Sequence, residues 1–260
     1  MAGQRLDTAL AERGLFPSRA AAAASIRAGE VRIGRDGPFA LKPSQLVEAG
    51  DELIIEGGPR YVSRGGIKLQ NALDELGIEV TGRGCLDVGA STGGFSDCLL
   101  QRGAERVAAV DVGYGQLAAS LRDDPRVTVL ERVNARELRP QDLPFRPDFA
   151  VIDVSFISLR KVLPAVASCL TEDAGMLAMV KPQFEVGRAK AQGGVVRSPE
   201  DRREAILSVA ACAQDLGFRV LSVASSGLPG PKGNRETFVH CARHGDALAD
   251  LEAAVAEVEP

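Results

Sequence analysis

Tryptophan is absent from this 260-residue chain, and tyrosine and histidine occur only twice each. Two histidines, His240 and His244, are too few for a histidine-based metal site and read as strand or surface residues. The five cysteines, Cys85, Cys98, Cys169, Cys212 and Cys241, are odd in number, widely scattered and without a C-x-x-C pair. Neither a disulfide framework nor a zinc site is expected from that pattern, and buried free thiols are. No run approaches the roughly 18 uninterrupted apolar residues of a membrane span. The opening MAGQRLDTALAERG has no apolar signal region. The expectation is a cytoplasmic chain with no metal and no membrane partner.

What is present is ordinary for a globular protein, with 45% apolar and 25% charged residues. The length suits one full α/β core plus a small module. The net charge of −4 hides an asymmetry: Gly245 to Pro260 holds five acids and no base, and without them the chain carries +1. Any binding to a polyanion must therefore come from local patches. That acidic tail, from Ala247 to Val258, has a helical pattern and no assigned role.

The chain is organised around Cys85 to Leu100, CLDVGASTGGFSDCLL. A short apolar strand, a turn with three glycines and a resumed helical face follow one another there. Glycines let backbone N–H groups approach a nucleotide-like ligand at the carboxyl ends of parallel strands. A second strand, Arg106 to Asp111, ends in an acid placed to accept hydrogen bonds from a ribose diol, at about the twenty-residue spacing such an acid shows. Gly89-Ala90-Ser91-Thr92-Gly93-Gly94 is not the G-x-G-x-x-G of dinucleotide binders. S-adenosylmethionine fits that loop better than a nicotinamide cofactor.

Upstream, Arg5 to Gly14 and Ser18 to Ala28 read as short helices, the second capped by Ser18 and stopped by Gly29. Val31 to Ile33 and Leu53 to Ile55 read as strands, with Lys42-Pro43-Ser44 and Gly50-Asp51 as turns. Gly57-Gly58-Pro59 marks a boundary, giving a small domain over 1–59, a linker over 60–63 and a larger domain over 64–260. Ile67 to Leu76 forms a helix that buries Leu69, Ala72, Leu73 and Leu76. Lys68 taken alone reads as a surface lysine.

Further strands are expected at Val127 to Leu130, Phe149 to Asp153, Met176 to Lys181, Arg219 to Ala224 and Thr237 to Ala242. Helices between most of them imply a doubly wound, mainly parallel sheet of seven strands. The last two strands, with only a Gly/Pro loop between, are expected to pair antiparallel. Asp111, Asp153 and Lys181 end strands at the edge of the glycine loop, and Glu236 precedes a strand that would start there. Asp153, Lys181 and Glu236 aimed at one crevice form a candidate catalytic cluster.

Two resemblances join these readings. RLD, the SR opening the second helix, IRAGEVRI, KPS and GDEL over Arg5 to Glu56 resemble the small RNA-binding domain shared by ribosomal protein S4 and many RNA-modifying enzymes. That resemblance implies RNA contacts at Arg5, Arg19, Arg27 and Arg32, joined by Arg60 and Arg64 of the following segment. Gly34-Arg35 replaces the Asn-Gly turn often found in that domain, so the loop Gly34 to Leu41 differs in its expected shape. Across nearly its whole length the chain is similar to the TlyA family, historically called hemolysins and understood as S-adenosylmethionine-dependent rRNA ribose 2'-O-methyltransferases. The motifs are VSRGGIKL, LDVGASTGGFSD, VDVGYGQLA, RVTVLERVNAR, IDVSFISL, VKPQFEVG and GPKGNRE.

The larger domain also resembles FtsJ-like methyltransferases, which implies a class I, Rossmann-like α/β fold and a tetrad of Lys68, Asp153, Lys181 and Glu236. Lys68 thereby changes from surface residue to candidate catalyst. Cofactor contacts implied by the family fall on Asp87, Gly89, Ala90, Ser91, Gly93, Gly94, Phe95, Asp111 and Asn134. Tyr61 and Thr237 stand where aromatics occur in relatives, departures expected to retune RNA docking. The implied partner is ribosomal RNA within ribosomal subunits, with cytidine riboses as targets. Lys181 is the candidate for contact with the 2'-oxygen, either as an amine accepting its proton or as an ammonium stabilising the alkoxide. The loop Pro182 to Ser198, with Arg188, Lys190 and Arg197 against Glu185, is read either as closing over phosphates or as a mobile surface loop. Two rivals are a non-catalytic ribosome-assembly factor and a membrane-active hemolysin; the latter is disfavoured by the lack of a basic amphipathic helix.

Overall fold

The computed structural model describes residues 3–16, 18–35, 37–40, 42–55 and 60–260. The expected break at Gly57-Gly58-Pro59 lies outside the described residues, as do Asp36 and Leu41 of the loop after Gly34. The chain forms two compact units, Met1–Ile67 and Lys68–Pro260.

The first unit contains β1 (Gln4–Arg5), α1 (Leu6–Glu12), α2 (Arg19–Ala28), β2 (Val31–Ile33), β3 (Leu46–Val47) and β4 (Leu53–Ile55). Ser18 caps α2 by accepting from the Ala21 amide at 3.1 Å, and Gly29 ends it at φ +78°, a conformation that costs a side-chain-bearing residue about 1–2 kcal/mol. Leu6, Leu10, Ile26, Val31 and Val47 form its core. β2 pairs antiparallel with β4, and β1 with β3. The last pairing was not expected, because two-residue strands carry no periodicity of their own. Arg13 donates to the carbonyls of Glu48, Ala49 and Asp51, fastening α1 to the turn before β4.

α3 (Arg64–Leu76) starts three residues earlier than its apolar pattern suggests, because Arg64-Gly65-Gly66 contributes no apolar side chain to mark the first turn. Leu69, Ala72 and Leu73 are buried, whereas Leu76 is only half-buried. Tyr61 is buried, with its ring where a Cβ at Gly66 would stand; it is a packing residue and is not placed to retune RNA docking.

The second unit continues with β5 (Gly84–Val88), α4 (Gly94–Gln101), β6 (Arg106–Asp111), α5 (Ala119–Arg122), β7 (Val127–Glu131), β8 (Phe149–Ile152), α6 (Leu163–Cys169), β9 (Gly175–Val180), α7 (Pro182–Glu185), α8 (Pro199–Asp215), β10 (Arg219–Ser225), β11 (Thr237–Ala242) and α9 (Leu251–Val258). Its seven strands lie in the order β10-β11-β9-β8-β5-β6-β7. β5 to β9 run parallel, while β11 is antiparallel to both β9 and β10. This is the class I methyltransferase arrangement.

Strands β5, β8 and β9 are buried throughout, and β8 and β9 read as continuous apolar runs, as doubly covered parallel strands do, while β5 carries one acid, Asp87. Leu163, Val166, Ile206, Val209 and Val255 of the helices pack with Val88, Ile152 and Val180 of the sheet, each fully buried side chain worth about 1.5–3 kcal/mol. Four cysteines are buried free thiols, and Cys212 is half-buried. No helix among the described residues is long and apolar enough to cross a membrane.

His240 sits on β11 with Nδ1 3.2 Å from Ser222 Oγ of β10. Burial lowers its imidazole to about 4 from the ordinary 6.5, and the nearby Arg83 charge acts the same way. A group depressed on folding contributes stability above its unfolded value and loses it as pH falls through its folded value. The unfolding free energy is therefore expected to drop by roughly 2–3 kcal/mol from this source between about pH 6.5 and pH 4. Urea titrations of the wild type and His240→Phe at both pH values check this; the variant should lack that share of the loss.

Candidate active site

The strand order reverses between β5 and β8, and a cleft opens there at the carboxyl ends of the strands. It encloses about 530 Å³, within the range of small-molecule sites, about 300–1,000 Å³. Gly89, Ser91, Asp111, Asn134, Asp153 and Phe156 are among its lining residues.

The floor of the cleft demands glycine. Gly89 has φ +86°, and a Cβ there would stand 2.5 Å from the Asp153 carbonyl oxygen, so only glycine lets the loop cross the end of β8. Asp111 ties this loop to β6. Its carboxylate accepts from the Ser91 amide at 2.8 Å and from the Gly113 amide at 2.6 Å. A carboxylate has about four acceptor sites, so two remain for a diol. Asn134 accepts from the Arg136 amide at 3.2 Å and donates to Glu137, which holds its side chain at the rim.

Other expected cofactor residues lie deeper. Asp87 is fully buried; Ser96 donates to its Oδ2 at 2.6 Å, and Oδ1 has no hydrogen-bond partner. Gly93 and Gly94 begin α4 rather than lining the cleft, and Phe95 is buried with its ring 5.9 Å from that of Phe238. Ala90 lines a small adjoining recess with Ser91 and Asp111.

Beside the cleft, two lysine–acid pairs assemble. Lys181, just past β9, places Nζ 2.5 Å from Asp153 Oδ1 and donates to Ser155 Oγ at 2.7 Å. The Asp153 contact is an ion pair by proximity, since Oδ1 is buried and receives no aligned hydrogen bond. Lys68 pairs with Glu236, and both are buried. Thr237 stands opposite Val180 in the β11–β9 ladder, so Glu236 and Lys181 are the next residues outward on adjacent strands. A surface position for Lys68, as its own sequence surroundings suggest, is thus incorrect. Its partner lies 168 residues away and leaves no local signal. Gly230 also packs on Glu236, where a Cβ would fall 2.5 Å from Oε1.

Three residues near the site escaped sequence reasoning. Phe156 is 91% exposed, lines the cleft and has φ +65°. Among the described residues only Ser91, Arg132 and Phe156 are non-glycines with positive φ, and Ser91 also lines the cleft. Strain concentrated at a cleft is a mark of function. A solvent-facing phenylalanine directly after Asp153-Val154-Ser155 was a signal available in the sequence. Glu185, expected to oppose the bases of its loop, instead turns inward, accepting from Ser158 Oγ at 2.5 Å and the Leu159 amide at 2.6 Å. Lys190 of the same loop is engaged by Asp201 and Glu204, and Arg197 lends its carbonyl to Arg202 at 2.8 Å. Asn234 is buried and fastens this loop, accepting from the Val196 amide at 3.0 Å and donating to the Gly194 carbonyl at 2.7 Å. Thr237 is buried and bonded to Glu259, so its hydroxyl is not placed to retune RNA docking.

In the first unit, Arg5 and Arg19 both pair with Asp7, at 2.8 and 3.4 Å. The Arg5 hydrogen bond, with help from Arg19, holds the Asp7 carboxyl well below the usual range. Both guanidinium groups remain about half exposed. Arg27 is exposed on α2. The Arg32 guanidinium lies 4.3 Å from the Phe39 ring centre, and that of Arg60 lies 5.5 Å from the Tyr61 ring centre. Arg64 opens α3. No cluster of His, Cys, Asp and Glu among the described residues is arranged to hold a metal ion.

Comparison with known proteins agrees with this geometry. The family model described as FtsJ-like methyltransferase matches residues 61–243, and the S4 domain model matches residues 4–53. The 16S/23S rRNA (cytidine-2'-O)-methyltransferase TlyA of Mycobacterium tuberculosis is 52% identical over 238 residues, covering 90% of this chain and 88% of the relative. Hemolysin A of Brachyspira hyodysenteriae is 37% identical over 238 residues, covering 91% of this chain and 98% of that protein. A solved structure from Streptococcus thermophilus carrying the hemolysin label superposes with a TM-score of 0.75 at 40% identity, covering 99% of this chain and 94% of its own. The chain belongs to the FtsJ-like methyltransferase family, with an S4 domain at its N-terminal end.

Proposed function

We propose that this protein methylates ribose 2'-oxygens of ribosomal RNA using S-adenosylmethionine, with cytidines of small-subunit, large-subunit or both rRNAs as targets. The observation that carries this reading is the pairing of Lys181 with Asp153, which lines a cleft of about 530 Å³, and of Lys68 with Glu236, the residue beside Lys181 on the adjacent strand. The identity of the M. tuberculosis relative, named for that reaction, supports it over most of the chain. The cytoplasm, where ribosomal subunits are found, is the matching location.

The residues present fit the cofactor. Asp111 retains acceptor capacity for a diol, Asn134 offers an amide at the rim, and Val112 and Val154 supply apolar wall. When bound, S-adenosylmethionine supplies a methyl already activated by its sulfonium. The protein's task is to orient a poor nucleophile and manage its proton. Lys181 Nζ is held by its hydrogen bond to Ser155 Oγ and its ion pair with Asp153, and on this reading it contacts the ribose 2'-oxygen. Lys68 neutralises Glu236 beside it, which keeps an unpaired carboxylate from the site; breaking such a buried pair costs about 3–5 kcal/mol. Phe156 presents a flat apolar surface on which the target nucleobase stacks. Arg5, Arg19, Arg27 and Arg32 of the S4 domain, with Arg60 and Arg64, supply phosphate contacts.

Methyl transfer from labelled S-adenosylmethionine to ribosomal subunits prepared without this modification tests the reading. Wild type should place label on ribose 2'-oxygens, and Lys181→Ala should lose transfer while binding the cofactor normally by calorimetry. Unmodified turnover in that variant removes Lys181 from the mechanism. Absence of label from every subunit, despite cofactor binding, returns the non-catalytic assembly factor.

Phe156→Ala should lower kcat/KM for RNA by roughly five- to a hundredfold, the loss of about 1–3 kcal/mol of stacking; steady-state kinetics on the labelled reaction measure it.

Asp87 yields a pH prediction. Burial raises its carboxyl to about 7, against the Ser96 hydrogen bond and aided by Asp153 and Asp111. A group raised on folding loses its contribution to stability as pH rises through its folded value. Asp87→Asn should therefore flatten the decline in the thermal midpoint of the cofactor-free protein between about pH 4 and pH 7.

A further inference from the structure

The acidic tail that the sequence leaves without a role ends in a buried charge cluster next to Glu236. Glu259 follows α9 and is 2% exposed. Its Oε2 lies 2.7 Å from Arg202 Nε and 3.2 Å from Arg235 Nε, and its Oε1 accepts from Thr237 Oγ1 at 3.0 Å. Arg235 and Thr237 are the two chain neighbours of Glu236. The backbone joins in as well: Arg203 Nε donates to the Glu259 carbonyl at 2.7 Å, and Arg235 Nη2 to the Val258 carbonyl at 3.3 Å.

The contacts form a closed ring. Arg202 reaches from Glu259 to the Arg197 carbonyl at 2.8 Å, the neighbouring Val196 amide donates to Asn234 at 3.0 Å, and Asn234 leads through Arg235 back to Glu259. A carboxylate this deeply buried against two guanidinium groups is costly to desolvate. Surface salt bridges elsewhere on α8 would fasten a terminal helix without that cost. What Glu259 adds is a grip on both sides of one residue. Glu236 begins no regular ladder of its own, since β11 starts at Thr237, and its side chain must meet Lys68 on α3 from there.

We infer that Glu259 is a positioning residue for the active site: by holding Arg235 and Thr237 it sets the backbone of Glu236, and so the alignment of Lys68 and Lys181 with the ribose. This rests on the proposed role of Glu236 in methyl transfer. The tail following the sheet on this account positions the active site through Arg235 and Thr237.

The test compares wild type, Glu259→Gln, Thr237→Val, Glu236→Gln and Glu257→Gln, each at a temperature where it is fully folded by circular dichroism. Glu259→Gln keeps the size of the side chain and removes the charge, and Thr237→Val removes one bond without removing volume. Displacement of a reacting group by about 1 Å costs up to roughly a hundredfold in rate. Glu259→Gln should lower kcat by roughly ten- to a hundredfold and shift the pH profile of kcat. The KM for S-adenosylmethionine should stay within about twofold, since Asp111 and the glycine loop are untouched. Thr237→Val should lower kcat in the same direction by less, and it decides the matter if Glu259→Gln does not fold. Exposed Glu257→Gln should behave as wild type. A kcat within about twofold of wild type for the folded cluster variants, with Glu236→Gln inactive, overturns the positioning role alone. Full activity in Glu236→Gln overturns the reading of Glu236 and this inference with it.

Discussion

The antiparallel insertion of β11 between β9 and β10 is the constraint on which the site depends. In a wholly parallel sheet only strand ends meet the ligand edge. Reversing one strand brings a strand start to that edge, and with it Glu236, one residue beyond the Thr237–Val180 pair that opens the ladder, as Lys181 is on β9. The apolar burial of β8 and β9 then fixes Asp153 and Lys181 within ion-pair distance. Each pairing is cheap because the sheet has already spent the entropy of bringing distant segments together.

The site is held from beneath by carboxylates that play structural parts. Asp111 binds two loop amides, Glu185 caps the turn after Ser158, and Glu259 grips the neighbours of Glu236. All three act on backbone or on charged side chains near the cleft, so hydrogen bonds and ion pairs add to apolar packing in holding it. The strained residues Ser91 and Phe156 sit where these supports meet the ligand surface. Such conformations persist only where the surroundings over-determine them.

Local pattern carried much of the fold. Arg106–Asp111 and Thr237–Ala242 are legible as strands from apolar runs of the right length, and Ser18 and Gly29 bound α2 through capping chemistry that is local in the chain. The two-residue strands β1 and β3 were not legible, because pairing over some forty residues leaves no trace in either segment. For the site, the strand-end acids and Lys181 stood out as charges closing apolar runs. Lys68 did not, since its helix neighbours describe an exposed face while its partner approaches from the other end of the unit.

The sequence by itself determined most of the element types, the mainly parallel pairing of the sheet and the kind of chemistry its motifs resemble, because these show in residues within a few positions of one another. Only the tertiary structure decided which charges are buried and with whom. Lys68, Glu185, Asn234 and Glu259 are polar residues whose remote partners leave no mark on their own segments, and a pattern of hydrophobicity reads them as solvent-facing. Their burial is possible because each meets a partner supplied by a remote segment, and the desolvation cost is offset only when both arrive together.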